Sequence, residues 1–107
     1  MIKEYGKIEG DVIVDDVYHL HGLVTGNIIV VEKGHCEIFG LCSGNVIVNE
    51  GGKLIIYGVV SRDVKNNGGD VEVYGMIVGR MVTENDGKTH ISIAAKILNH
   101  DFSRKNV

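Results

Sequence analysis

A glycine-led phrase comes round five times along this 107-residue chain at nearly constant spacing. It reads Gly6-Lys-Ile-Glu-Gly10-Asp11-Val12, Gly22-Leu-Val-Thr-Gly26-Asn27-Ile28 and Gly40-Leu-Cys-Ser-Gly44-Asn45-Val46. It returns as Gly58-Val-Val-Ser-Arg62-Asp63-Val64 and Gly75-Met-Ile-Val-Gly79-Arg80-Met81. The leading glycines stand 16, 18, 18 and 17 residues apart. A fixed period of this size marks a solenoid, in which each repeat is one coil stacked on the last. Position in the chain then becomes height along an axis.

Each coil has two alternating segments. The first is the glycine phrase itself. The second precedes the next leading glycine: Gly34-His-Cys36-Glu-Ile38-Phe39, Gly52-Lys-Leu54-Ile-Ile56-Tyr57 and Gly69-Asp-Val71-Glu-Val73-Tyr74. Period-two alternation predicts strands with one face inward. β-Branched residues and recurrent glycine exclude helix before residue 93. Val24, Val30, Cys36, Cys42, Val48, Leu54 and Val60 recur every six residues, as three flats per coil require. Stacking like on like predicts three inward columns: Ile8, Val24, Cys42, Val60, Ile77; Val12, Ile28, Val46, Val64, Met81; and Ile38, Ile56, Val73, Ile91. The Gly-Asp/Asn corners are expected to supply left-handed or bridge conformations. The fold expected is therefore all-β: a single-domain, three-sided parallel β-helix of about five coils. At a strand spacing of ~4.8 Å it stands roughly 24 Å tall. Right-handed winding follows from the general preference of parallel crossovers.

The helix is expected to occupy residues 1–93, and residues 94–107 a C-terminal cap and tail. After Ile93 the phrase gives way to Ala94-Ala-Lys-Ile97-Leu98, read as a last strand or a short helix across the final coil. Residues 1–5 show no part of the phrase, which leaves the first coil as the open edge.

Composition agrees with thin buried strands: no Trp, no Pro, two Phe, four Tyr and 15 Gly. No basic-then-apolar start marks a secretory signal and no apolar run approaches the ~18 residues of a spanning helix, so the expected location is the cytoplasm, with no membrane partner. Cys36 and Cys42 are then reduced thiols. Residues 1–50 hold eight acids and three bases, and residues 51–107 six acids and eight bases. Stacking turns that asymmetry into an axial dipole, acidic at the N-terminal end. No basic stripe alternates with exposed aromatics, which argues against a nucleic-acid partner.

No nucleophile–base pair, phosphate-cradling loop or paired carboxylates emerge, so no catalytic, cofactor or metal site is assigned and the chain is not expected to be an enzyme. His19 and His21 share a side of a strand, a spacing compatible with a metal, but no third ligand joins them and they read as a solvated pair. His35 lies one coil later in another phase of the repeat; His90 and His100 read as surface residues. Phe39, Tyr57 and Tyr74 form a column that either stiffens a corner or anchors a partner. Departures from the phrase gather in the second half: Arg62 for Gly, Arg80 for Asp/Asn, and Asn66 and Thr83 for apolar residues. They are explained by a drifting repeat or by a wall reshaped for contact through Arg62, Asp63, Lys65, Asn67 and Arg80. Tyr57, Tyr74 and the acidic Asp15 and Asp16 complete the candidate partner-binding set.

The Gly-x-Val-x-Gly-Asn-Val-x-Val phrase over residues 6–83 resembles the repeats of bactofilins, polymer-forming bacterial cytoskeletal proteins. The resemblance implies a right-handed three-sided β-helix that assembles end to end without nucleotide. Arg62, Asn66, Arg80 and Thr83 depart from that regularity. Two functions are therefore expected. One is a non-catalytic protein-binding solenoid, such as a cytosolic immunity protein that occludes a bacterial toxin, many of which are basic nucleases that an acidic partner attracts. The other is a bactofilin-like self-assembling scaffold held through its coil ends.

Overall fold

The computed structural model describes residues 1–99. Seventeen short strands wind as a three-sided solenoid. The first coil holds β1 (Ile2–Glu4), β2 (Lys7–Ile8) and β3 (Val12–Val14); the second β4 (Val17–Leu20), β5 (Leu23–Val24) and β6 (Ile28–Val30). The third holds β7 (His35–Ile38), β8 (Leu41–Cys42) and β9 (Val46–Asn49); the fourth β10 (Lys53–Ile56), β11 (Val59–Val60) and β12 (Val64–Asn67). The fifth holds β13 (Asp70–Val73), β14 (Met76–Ile77) and β15 (Met81–Glu84), after which β16 (Lys88–Ile91) and β17 (Lys96–Ile97) begin a sixth. Every third strand pairs in parallel, giving sheet A (β1-β4-β7-β10-β13-β16), sheet B (β2-β5-β8-β11-β14-β17) and sheet C (β3-β6-β9-β12-β15). No helix occurs among the described residues.

The three inward columns pair as the repeat predicts. Ile8, Val24, Cys42, Val60 and Ile77 stand in register and Ile97 extends them. Val12 to Met81 line sheet C, and Ile38, Ile56, Val73 and Ile91 line sheet A, with Leu20 above them. From Leu20 to Ile77 these side chains form one continuous buried core. Cys36 and Cys42 lie in it as free thiols.

Three expectations need correction or completion. Of the last strand and the short helix read after Ile93, the strand is the one present: Lys96 and Ile97 pair with Met76 and Ile77 and continue sheet B. Residues 100–107 of the expected cap lie outside the described residues. Residues 1–5 are not idle either, since β1 opens sheet A by pairing Ile2, Lys3 and Glu4 with Tyr18, His19 and Leu20. They lack the glycine phrase because they enter on a flat rather than at a corner.

The third correction concerns glycine. Of the Gly-Asp/Asn corners only Gly10 has positive φ. Gly26 and Gly44 are required by crowding instead, because a Cβ on either would come within 2.4 Å of the glycine one coil above. The leading glycines are tighter still, each Cβ site lying 2.0–2.2 Å from the carbonyl oxygen of the leading glycine above at Gly22, Gly40, Gly58 and Gly75. Left-handed backbone belongs to the corner between sheets C and A, at Lys33, Gly51, Gly68, Asn85 and Asp86.

Candidate functional site

Stacking gives the molecule three walls, three corner ridges and two ends, and each disposes of its polar groups differently.

The wall of sheet A is laced with charge. Lys3, His19, Glu37, Ile55, Glu72 and His90 form one outer column. Glu37 sits directly across from His19 and two residues from His35, and its Oε2 lies 3.6 Å from His19 Nε2 and 2.7 Å from His35 Nε2. His19 therefore has a carboxylate partner and His21 is stacked between Tyr5 and Phe39, so the two histidines are not the solvated pair expected. Among the described residues no group of three donors is arranged to hold a metal. Lys53 Nζ reaches Glu72 Oε2 at 3.2 Å, and Tyr74 Oη donates to Glu72 Oε1 at 2.8 Å. These two donors, Tyr74 first, hold the Glu72 carboxyl below its ordinary range, and the same bond raises the Tyr74 phenol.

The ridge between sheets A and B carries an aromatic ladder longer than the three rings expected. Tyr5, His21, Phe39, Tyr57 and Tyr74 stack with centroids 4.7, 4.6, 5.0 and 5.5 Å apart and planes within 13°. His90 adds a tilted sixth ring. The residue before each leading glycine occupies this ridge; Tyr5 and His21 satisfy that rule, His21 being missed because it is neither Phe nor Tyr and Tyr5 because residues 1–5 show no part of the phrase. Face-to-face stacking leaves the ring edges outward, with Tyr5 68%, Phe39 40%, Tyr57 47% and Tyr74 38% exposed. Beside the ladder, sheet B presents the outer column Lys7, Leu23, Leu41, Val59, Met76 and Lys96.

The ridge between sheets B and C holds a side-chain ladder that accounts for the Asp/Asn position of the phrase. Asp11 Oδ1 accepts the Asn27 N–H, Asn27 Oδ1 that of Asn45, Asn45 Oδ1 that of Asp63, and Asp63 Oδ1 that of Arg80, all at 2.8–2.9 Å. Arg80 is the last rung described, where only a donated N–H is needed; its guanidinium turns back to Asp63 Oδ2 at 3.6 Å.

Sheet C faces outward with Ile13, Ile29, Ile47, Lys65 and Val82 in one column. Lys65 Nζ pairs with Glu84 at 3.3 Å. A shallow groove of about 360 Å³ opens among Ile47, Asp63, Lys65, Arg80, Val82 and Glu84. Asn67 joins Asn49 and Asn85 in an amide ladder next to this column.

Asn66 is no surface lapse. It is fully buried; its Nδ2 donates to the Lys88 carbonyl and to Thr89 Oγ1, and its Oδ1 accepts the Gly69 N–H. Thr83 lies in the same column and meets Thr89 Oγ1 at 2.8 Å.

The candidate residues thus fall in three places. Arg62, Asp63 and Arg80 lie on the ridge between B and C, with Lys65 and Asn67 on the adjoining wall. Tyr57 and Tyr74 lie on the opposite ridge between A and B. Asp15 and Asp16 lie at the first turn from C to A, where Asp16 Oδ1 accepts the Val17 N–H. Nothing in the structure explains why Arg62 replaces glycine; its side chain is exposed.

Both thiols are sealed inside. Burial pushes the Cys36 thiol up to about 12, with the neighbouring Cys42 adding to the shift, and burial raises Cys42 as well. Among the described residues no helix is long and apolar enough to cross a membrane.

The ends are partly polar. Glu4 heads the inward column of sheet A and its Oε2 accepts the Gly6 N–H at 3.0 Å. At the other end Met81, Thr83, Thr89, Ile91, Ala95 and Ile97 line a hollow of about 570 Å³. No protein-family model, curated protein or solved structure matches the chain.

Proposed function

We propose that the chain is a non-catalytic protein-binding β-solenoid that works through its walls. The aromatic ladder carries this reading. Five rings in register, with His90 tilted beside the last and Leu23, Leu41, Val59 and Met76 alongside, give an exposed apolar and aromatic strip along the height of the molecule. Strips of this composition are favoured at the cores of protein interfaces. Neither thiol is exposed to act as a nucleophile, since both are fully buried. An inward-pointing charge on an edge strand, as at Glu4, works against strand addition at that end.

Within this class the narrower reading is a cytosolic immunity protein that occludes a basic bacterial toxin. The acid excess of the first coils supports it: residues 1–21 carry five carboxylates against two lysines.

A second reading, a bactofilin-like scaffold, is supported by the apolar hollow at the C-terminal end and by the opposite charge of the two halves. Light scattering over a concentration series separates the two. A monomer or dimer that persists at high concentration is expected for a wall-binding module. Salt-sensitive filaments would overturn that reading and establish the scaffold. Tyr57→Ser with Tyr74→Ser provides the second test, since it must abolish partner co-purification without changing the fold.

A further inference from the structure

The outer face of sheet C joins an apolar column to a mainly acidic border, in which Lys33 beside Glu32 is an exposed exception. Ile13, Ile29 and Ile47 stack directly above one another, and Ile13 is 68% exposed. Neighbouring strands lie ~4.8 Å apart, so the three side chains span about 10 Å, the length of two helical turns. Asp11 borders the column on one side; Asp15, Asp16 and Glu32 border it on the other. Residues 11–32 contain these four acids and no lysine or arginine. Below Ile47 the same column position becomes Lys65, whose ammonium closes the apolar strip.

We propose that this face docks a cationic amphipathic segment of a protein partner, its apolar side on the isoleucines and its lysines or arginines against the acidic borders. The inference rests on the protein-binding reading and adds a second contact, on the wall of sheet C, to the one made by the aromatic ladder. Apolar contact supplies affinity that salt leaves in place. The acids select the sign of charge and speed encounter. Lys65 sets the lower limit, since it replaces isoleucine in the column and ends the apolar strip above coil four.

The repeat itself offers a substitution that keeps the fold. Ile47→Lys places in coil three the residue that coil four already carries at the same outward position. The experiment titrates the isotope-labelled full chain with a 14-residue helical peptide of leucine and lysine, with a leucine–glutamate peptide as control, and follows backbone amide signals. Perturbations confined to residues 11–15, 27–31 and 45–49, present with the lysine peptide and absent with the glutamate peptide, are expected. Ile47→Lys is expected to weaken binding by about tenfold at an unchanged thermal midpoint. Equal binding of both peptides, no binding, or unchanged affinity of Ile47→Lys would overturn the proposal. Perturbations centred on Tyr57 and Tyr74 would also overturn it while leaving a wall-binding module in place.

Discussion

Asn66 Oδ1 accepts the Gly69 N–H at 2.8 Å, a side chain doing what the backbone does in the other coils. At the equivalent turns Gly34 donates to the Val31 carbonyl, Gly52 to that of Asn49 and Gly87 to that of Glu84. Those turns set inward positions six apart, as from Val48 to Leu54, whereas Asn66 and Val71 are five apart. The shortened corner has no carbonyl three residues before the glycine on the outward phase. An inward amide reaches the same N–H and uses its other end to hold Lys88 and Thr89 in the next coil.

Restoring the consensus at this position is therefore expected to harm the protein. Asn66→Val extends the apolar column of Val30 and Val48 yet strands the buried Gly69 N–H and removes a donor from the Lys88 carbonyl. An unsatisfied buried group costs about 1–3 kcal/mol, only partly offset by the added apolar contact. A net loss of about 2 kcal/mol in urea unfolding is expected, and equal or greater stability of the variant would refute this account.

Two glycines separate crowding from backbone conformation. Gly40→Ala puts a methyl 2.1 Å from the Gly22 oxygen, so the coils must part, and a loss of more than about 3 kcal/mol is expected. Gly10→Ala meets nothing within 4 Å but keeps φ at 98°, for which about 1–2 kcal/mol is expected. Equal losses at the two positions, read from denaturation midpoints, would show that crowding does not set the leading glycine.

The coil was legible because its signal is local and repeated: every inward position is tested several times by the phrase, so Val24, Val48 and Leu54 could be placed without coordinates. What could not be read was the meaning of single departures. Arg80 looks like a lost Asp until Asp63 is seen to need only its N–H, and Asn66 looks like a polar lapse until the turn is found one residue short. His21 was missed as a ladder ring because its place depends on cross-coil register, not on its neighbour His19. The binding surface was scattered for a related reason. Arg62, Tyr57 and Asp15 were grouped by irregularity or type, while winding sends them to three different ridges.

The thiols predict a pH dependence with a definite sign. Cys36 ionises near 9.0 when unfolded and at about 12 when folded, so between those values the unfolded state binds fewer protons. Stability is then fully present below pH 9 and falls as pH rises toward 12, with a slope of about 1.4 kcal/mol per pH unit from Cys36, to which the raised Cys42 thiol adds. Cys36→Val is expected to flatten the decline between pH 9 and 10, where the raised Tyr18 phenol does not yet contribute. A thiol reagent at pH 8 is expected to label neither cysteine until the chain unfolds. Rapid labelling of the folded protein would contradict the sealed core.

The Asp/Asn ladder makes the last prediction, because its rungs need an acceptor and are indifferent to charge. Asn45 Oδ1 takes the Asp63 N–H, and Asp11 and Asp63 do the same work in their own coils with carboxylates. Asn45→Asp is therefore expected to stay within about 0.5 kcal/mol of the parent at neutral pH. Asn45→Ala removes the acceptor from a partly buried rung and is expected to cost about 1 kcal/mol. Hydrogen exchange places the effect: the Asp63 amide should lose protection in Asn45→Ala and keep it in Asn45→Asp. Protection lost equally in both would mean that the amide itself, rather than an oxygen acceptor, holds the coils together.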